Sequence, residues 1–290
     1  MSKLIFGCGY LGERVARRWR AMGDDVVVVT RSRERAEELE KLGDRSAIAD
    51  VTRPATLTDL PAAETVLFAV GFDRSAGQSI EAVYAGGVRN VLAALPSEVG
   101  QFIYISTTGV YGNAAGAWID EDTPPDPQRD GGRASLAAEQ ALAESRFASR
   151  GIVLRLAGIY GPGRIPFIDL LRAGEPIPAP SRGHLNLIHV DDAAAVVVAA
   201  AELNRKRSAD RSPIVYCVSD GQPVRRGDYY REVARLIGAP EPTFTVPDPE
   251  SPRAARAAND RRVNNQRMLA ELRVQLEYPD YRAGLKAILN

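Results

Sequence analysis

Three glycines close together, in Gly7-Cys8-Gly9-Tyr10-Leu11-Gly12, constrain this chain more than any other feature. They follow a short apolar run, LIFG at 4–7, and open a segment of helical periodicity near 11–22. In a G-x-G-x-x-G turn between strand and helix, the first glycine permits the sharp turn. The second lets a pyrophosphate approach the backbone, and the third lets helix and strand pack closely. Free N–H groups at the helix start then meet the anion. Alone the pattern also fits a purely structural turn. Here it stands at the head of a strand–helix–strand unit, because DVVVVT (25–30) follows at the right interval. That context points to a dinucleotide site.

The rest of the chain repeats the rhythm. SAIAD (46–50), TVLFAV (65–70), QFIYIS (101–106), IVLRLAG (152–158) and IVYCVS (214–219) read as strands, with helical segments near 33–42, 78–95, 133–148, 191–203 and 227–237. Continuous apolar strands are those covered on both faces, as in a parallel sheet. The alternation predicts an α/β fold, a Rossmann-type doubly wound parallel sheet. Three stretches interrupt it: TPPDPQRDGG (123–132), 162–184, and the Pro- then Arg-rich 246–262. We expect a core from residues 1–160, completed by 186–220. Residues 161–185 and 221–290 would form a small C-terminal substrate lobe at the carboxyl edge of the sheet, where α/β ligands bind.

Of 290 residues, 37 are Lys or Arg and 37 are Asp or Glu, so the net charge is zero. Nucleic acid or an acidic membrane surface as principal partner would call for a basic excess. The tight basic run NRKR (204–207) reads as a solvated loop. Cys8 and Cys217 lie in apolar surroundings far apart, a pattern of buried thiols in a reducing compartment. The N-terminus lacks the apolar run of a signal peptide, and the longest apolar stretch, AAAVVVAAA (193–201), is too short to span a bilayer. The expected location is the cytoplasm. No residue spacing suggests a metal site.

The second strand ends in Thr30-Arg31-Ser32-Arg33, with no carboxylate until Glu34. An acid there holds the ribose hydroxyls of NAD; its absence removes the repulsion of a 2′-phosphate, which Arg31 and Ser32 can bind. NADP is expected, with NAD possible. The alternative is that these arginines simply face water.

With the glycine loop, ISTTGVYG (105–112), RLAGIYGPGR (155–164) and NLIHVDD (186–192) in this order, the chain resembles the extended short-chain dehydrogenases/reductases. The tail, RRVNNQRMLAEL then YPDYRAGLKAIL, resembles an atypical bacterial epimerase/dehydratase-like branch. The extended glycine pattern, G-x-x-G-x-x-G, has Phe6 here at its first position. The resemblance implies Asp50 and Val51 beside the adenine, Phe68, Ala69, Val70 and Ser106 along the cofactor, and Thr107 on the catalytic Ser/Thr position. From sequence alone, Thr107 and Thr108 also fit backbone caps at a strand end.

The family's chemistry uses a Tyr-x-x-x-Lys pair, in which the lysine makes the phenolate accessible. That pair aligns on Gly131 and Ser135, and no tyrosine lies between Tyr111 and Tyr160 and no lysine between Lys41 and Lys206. Tyr84 and Tyr111 are candidate replacement acids, with Tyr160 behind them; each also fits a packed tyrosine. Arg133 is a candidate substrate-anion contact. His189 reads as structural, with Asp191 and Asp192 as N-caps. The run 120–122 reads as a solvated acidic turn, and Arg253, Arg256, Arg261 and Arg262 as an anion-binding face of the lobe. Two functions follow. The first is an NADP-dependent oxidoreductase or epimerase-like enzyme on a small polar or anionic substrate. The second is a non-catalytic NADP(H)-sensing protein. Small residues in 136–145 would permit a homodimer face.

Overall fold

The computed structural model describes residues 1–203, 212–246 and 259–290. Seven parallel strands form the central sheet: β1 (Ser2–Phe6), β2 (Asp25–Thr30), β3 (Arg45–Ile48), β4 (Thr65–Phe68), β5 (Gln101–Thr107), β6 (Gly151–Leu156) and β7 (Ile214–Val218). Their order is β7-β6-β5-β4-β1-β2-β3, so the chain winds outward from β1 in one direction and then from β4 in the other. The crevice between β1 and β4, where the winding reverses, is where ligands of such sheets bind.

Period-two alternation divides the strands between two apolar layers. Ile5, Val28, Leu67 and Ile103 face one side, against helices α1 (Gly12–Ala21) and α6 (Val190–Ala201). Phe6, Val29, Phe68 and Phe102 face the other, against α3 (Gly87–Ala94) and α4 (Asp130–Ala143). Helix α2 (Arg33–Lys41) begins at Ser32, whose Oγ accepts from Arg35 N–H as a side-chain cap. Helix α1 has no side-chain cap.

A third apolar cluster lies beyond the sheet. It joins Tyr160 and Ile177 to Tyr229 and Tyr230 of α7 (Arg226–Ile237), and to Leu285 in the C-terminal helix Tyr281–Leu289. The helix Gln266–Leu272 does not join this cluster: Met268 and Leu272 pack into the core beside α6, so this part of 221–290 sides with the sheet. His189, rather than Asp191 or Asp192, caps α6, its side chain accepting from the Asp191 amide. Asp192 instead accepts from the amides of Glu277 and Tyr278, tying the tail to α6. Among the described residues no helix is long and apolar enough to cross a membrane. The basic run 204–207, Arg253 and Arg256 lie outside the described residues.

Candidate active site

A cleft of about 950 Å³ runs along the carboxyl ends of β1, β2, β4 and β5. Its floor at one end is the glycine loop. Gly7 has φ +91°, and a Cβ there would stand 2.5 Å from the Ala69 backbone. A Cβ on Gly12 would stand 2.3 Å from the Gly7 carbonyl oxygen. Both glycines are therefore required by close packing. Gly9 differs, because a Cβ there would meet no protein atom within 4 Å. The open space lies over the uncapped start of α1, and this combination fits a dinucleotide pyrophosphate on the backbone amides. Cys8 in the loop stays a thiol, since burial pushes it up to about 12.

Of the cofactor positions expected from sequence, Gly7, Gly9, Tyr10, Leu11, Thr30, Arg31, Asp50, Val51, Ala69, Val70 and Ser106 line this cleft. Gly12 sits behind it as a packing glycine. Ser32 caps α2. Phe68 does not line it, because strand alternation turns its side chain into the core against Phe6, Phe102 and Tyr104. Arg31 is half-exposed and pairs with Asp73 across the cleft at 3.5 Å. Tyr10 spans the opening, its hydroxyl donating to the Pro162 carbonyl at 3.1 Å, with Arg14 and Arg164 against its ring.

The other end holds Thr107, Tyr84, Gly131 and Ser135. Thr107 Oγ1 accepts from the Gly109 amide at 3.0 Å, which leaves the hydroxyl proton free to donate into the cleft. Tyr84 stands on a π-helical turn, Ala82–Gly86, that precedes α3. Such turns cluster at functional sites, and nothing in the sequence periodicity signals this one. Burial raises the Tyr84 pKa, opposed by a hydrogen bond from the Phe72 backbone. The positions aligned with the tyrosine and lysine are filled differently. Gly131 leaves open space, with only Ile80 Cδ1 as near as 3.5 Å to a built Cβ. Ser135 is buried and hydrogen-bonds Tyr104, whose phenol burial holds far above its ordinary range. Neither supplies an acid or a cation.

Tyr111 is placed elsewhere. It is 1% exposed, its hydroxyl accepting from Arg155 Nη1 at 2.7 Å and lying 3.2 Å from Cys217 Sγ. Burial raises its pKa strongly, and it has no path to the cleft lining. Tyr160 is equally buried, hydrogen-bonding the Asp280 carbonyl. Arg133 is exposed and pairs with Asp130 on its own helix. His189 is buried, and desolvation lowers its pKa, so it is neutral at pH 7.

Sequence reasoning missed the network beneath the site. Ser106 Oγ donates to Glu139 Oε1 at 2.5 Å, and Glu139 takes a two-oxygen contact from Arg155 Nε at 3.1 and 3.2 Å. The pair Arg155–Glu139 is almost fully buried. Its signals were an arginine inside the apolar strand IVLRLAG and a glutamate inside an alanine-rich helix. Also missed were Arg74, Arg129 and Arg164. With Arg31 they give the cleft four arginines against Asp50 and Asp73, in a chain of zero net charge. Charge of one sign focused in a cleft favours anionic ligands. Among the described residues no three His, Cys, Asp or Glu side chains are grouped to hold a metal.

Residues 4–215 match the model of the NAD dependent epimerase/dehydratase family. Protein YeeZ of Escherichia coli is 30% identical over 65% of this chain, a match that spans 62% of YeeZ's own length. A 3-diazoavenalumate denitrifying reductase of a Streptomyces species is 29% identical over 90% of this chain and 93% of that one. A solved structure from Methylobacillus flagellatus, assigned provisionally to the NAD-dependent epimerases/dehydratases, superimposes with a TM-score of 0.78 at 35% identity, covering 99% of this chain and 97% of that one. Fold, cleft and glycine loop agree with these likenesses: the chain belongs to the NAD-dependent epimerase/dehydratase family.

Proposed function

We propose that the protein is an NADP(H)-dependent reductase of a small anionic substrate, with Thr107 orienting the substrate oxygen and Tyr84 giving the proton. The observation that carries this reading is the continuity of one cleft from the glycine loop to Thr107 and Tyr84. The adenine end would lie along Asp50 and Val51, and Arg31 would take the 2′-phosphate, exchanging its exposed pairing with Asp73 for it. Thr30, Ala69 and Val70 would flank the sugars and pyrophosphate, and Ser106 the nicotinamide end.

When bound, the cofactor supplies a hydride from the nicotinamide C4. The chain's own residues supply the rest. Thr107 donates its free hydroxyl proton to the substrate oxygen as a hydrogen bond and so holds the reacting carbon in register. Ser106 cannot move, because Glu139 and Arg155 fix it from below. Tyr84 is a phenol at neutral pH, since its pKa lies above an ordinary value near 10. A phenol can donate a proton to an oxygen gaining charge, but without a lysine partner its phenolate is about one part in a thousand or less at pH 7. Proton abstraction, which begins oxidation and epimerisation, is therefore disfavoured against reduction. The name of the Streptomyces relative, a reductase, supports that direction.

A second reading is a non-catalytic NADP(H) sensor, favoured by the specific loss at Gly131 and Ser135 with retention of the glycine loop. NADPH oxidation followed by absorbance against fractionated cytoplasmic metabolites decides between them. Turnover in one fraction, lost in Tyr84→Phe and kept in Tyr111→Phe, supports the reductase. Tight NADPH binding without turnover in any fraction supports the sensor.

A further inference from the structure

Arg129 and Arg261 come from distant parts of the chain and reach the same short loop. Arg129 immediately precedes α4 and lines the cleft. Its Nη2 lies 3.3 Å from where a Cβ on Gly109 would stand, and Thr107 Oγ1 lies 3.2 Å from that same point. Arg261 takes the far end of the loop, donating from Nη1 to the carbonyls of Tyr111 at 3.2 Å and Gly112 at 3.1 Å. Its Nε is buried and has no acceptor.

The charges around Arg261 are unusual. Burial lowers its pKa to about 10, and the next influence is Arg129, a like charge; Tyr111 and Cys217 act the other way, with no carboxylate among these neighbours. Both arginines are still cations at neutral pH. Two guanidiniums held near one another repel, and a buried N–H without an acceptor is costly. An anion between or beside them relieves both penalties. The planar fork of each guanidinium suits a carboxylate or a phosphate, and charge-assisted bonds to such groups are among the strongest polar contacts. Asp126, whose carboxylate flanks Gly112, gives the loop an acid of its own that a ligand would compete with.

We propose that Arg129 and Arg261 form an anion subsite beside Thr107, so that the substrate presents a carboxylate or phosphate there while Thr107 holds its reacting oxygen. This rests on the reading of the Thr107 end as the substrate site. It also separates Arg261 from Arg262, which is spent on the Gly116 carbonyl and the Trp118 ring.

The test is calorimetric titration of the full chain, saturated with NADPH, with inorganic phosphate and separately with acetate. Saturation keeps the probes off the places that the dinucleotide phosphates fill. The expected result is binding of at least one probe in about the millimolar range, weakened about tenfold or more by Arg129→Gln and by Arg261→Gln. Binding of phosphate alone identifies a phosphorylated substrate, and of acetate alone a carboxylate. Circular dichroism checks that Arg261→Gln folds; if it does not, Arg129→Gln decides. No binding by the wild-type chain, or equal binding by Arg129→Gln, overturns the subsite and leaves Arg261 as a strap on its loop. Should NADPH itself fail to bind, the functional reading falls instead, and the same titration of the cofactor-free chain still decides the subsite.

Discussion

The two ends of the cleft are built from different chemistry. At the glycine-loop end the backbone does the recognising: tight glycines, an uncapped helix start and open space over Gly9. At the Thr107 end individual side chains would do it, and two of the positions that matter are Gly131 and Ser135. A backbone site tolerates change at most side chains, because three glycines maintain it. A side-chain site loses its chemistry with one or two substitutions. A descendant of a Tyr–Lys enzyme can thus keep its binding half while its reactive half is rebuilt, and the π-helical turn carrying Tyr84 is where rebuilding is visible.

The contrast can be broken most forcefully at Tyr84. Tyr84→Phe is expected to lower turnover by roughly 10²- to 10⁴-fold, the usual contribution of a positioned acid. Steady-state NADPH oxidation measures it, and a variant that keeps most of its rate would move the proton donor elsewhere. Next in size is the support beneath the site. Glu139→Ala leaves Arg155 buried without its counter-charge, and urea unfolding should show a loss of about 3–5 kcal/mol. A much smaller loss would mean that water reaches Arg155.

Asp220 probes the lobe side. Burial, with Asp280 and Asp192 adding to it, raises its pKa from 3.8 to about 7, and its Oδ2 has no partner. Between about pH 4 and 7 the folded chain therefore holds a proton that the unfolded chain has released. The group's stabilisation is full below the unfolded pKa and is lost as pH rises to about 7. Relative to wild type, Asp220→Asn should flatten the fall of stability over that window, an effect on the order of a few kcal/mol. An unchanged difference between pH 4.5 and 7.5 would show that Asp220 is ionised throughout. Smaller again is Gly12→Ala: its Cβ would meet the Gly7 carbonyl, so urea unfolding should show a loss of about 1–3 kcal/mol. Smallest is Arg31→Ala, which should weaken NADPH about tenfold while leaving NADH nearly unchanged; equal effects on both would remove the 2′-phosphate contact.

These differences follow what a sequence can carry. The seven strands and the glycine loop were legible because they rest on continuous apolar runs and on glycines at fixed spacing, both local patterns. Phe68 was misplaced because its family position was carried over without its strand parity, which sends it into the core. Tyr111 was expected at the site from its neighbours in ISTTGVYG, yet its orientation depends on Arg155 and Cys217, far away in sequence. Arg129 and Arg261 were inconspicuous for the same reason: their meeting at one loop is made by the fold.

The most direct measurement is a fluorescence titration of NADPH against the wild-type chain, Gly9→Ala and Tyr84→Phe. Gly9→Ala meets no protein atom, so it should fold normally and yet weaken NADPH about tenfold or more by filling the space over the loop. Tyr84→Phe should bind NADPH as the wild type does. If instead Gly9→Ala binds normally, or Tyr84→Phe loses the cofactor, the two ends of the cleft are not separable in the way described.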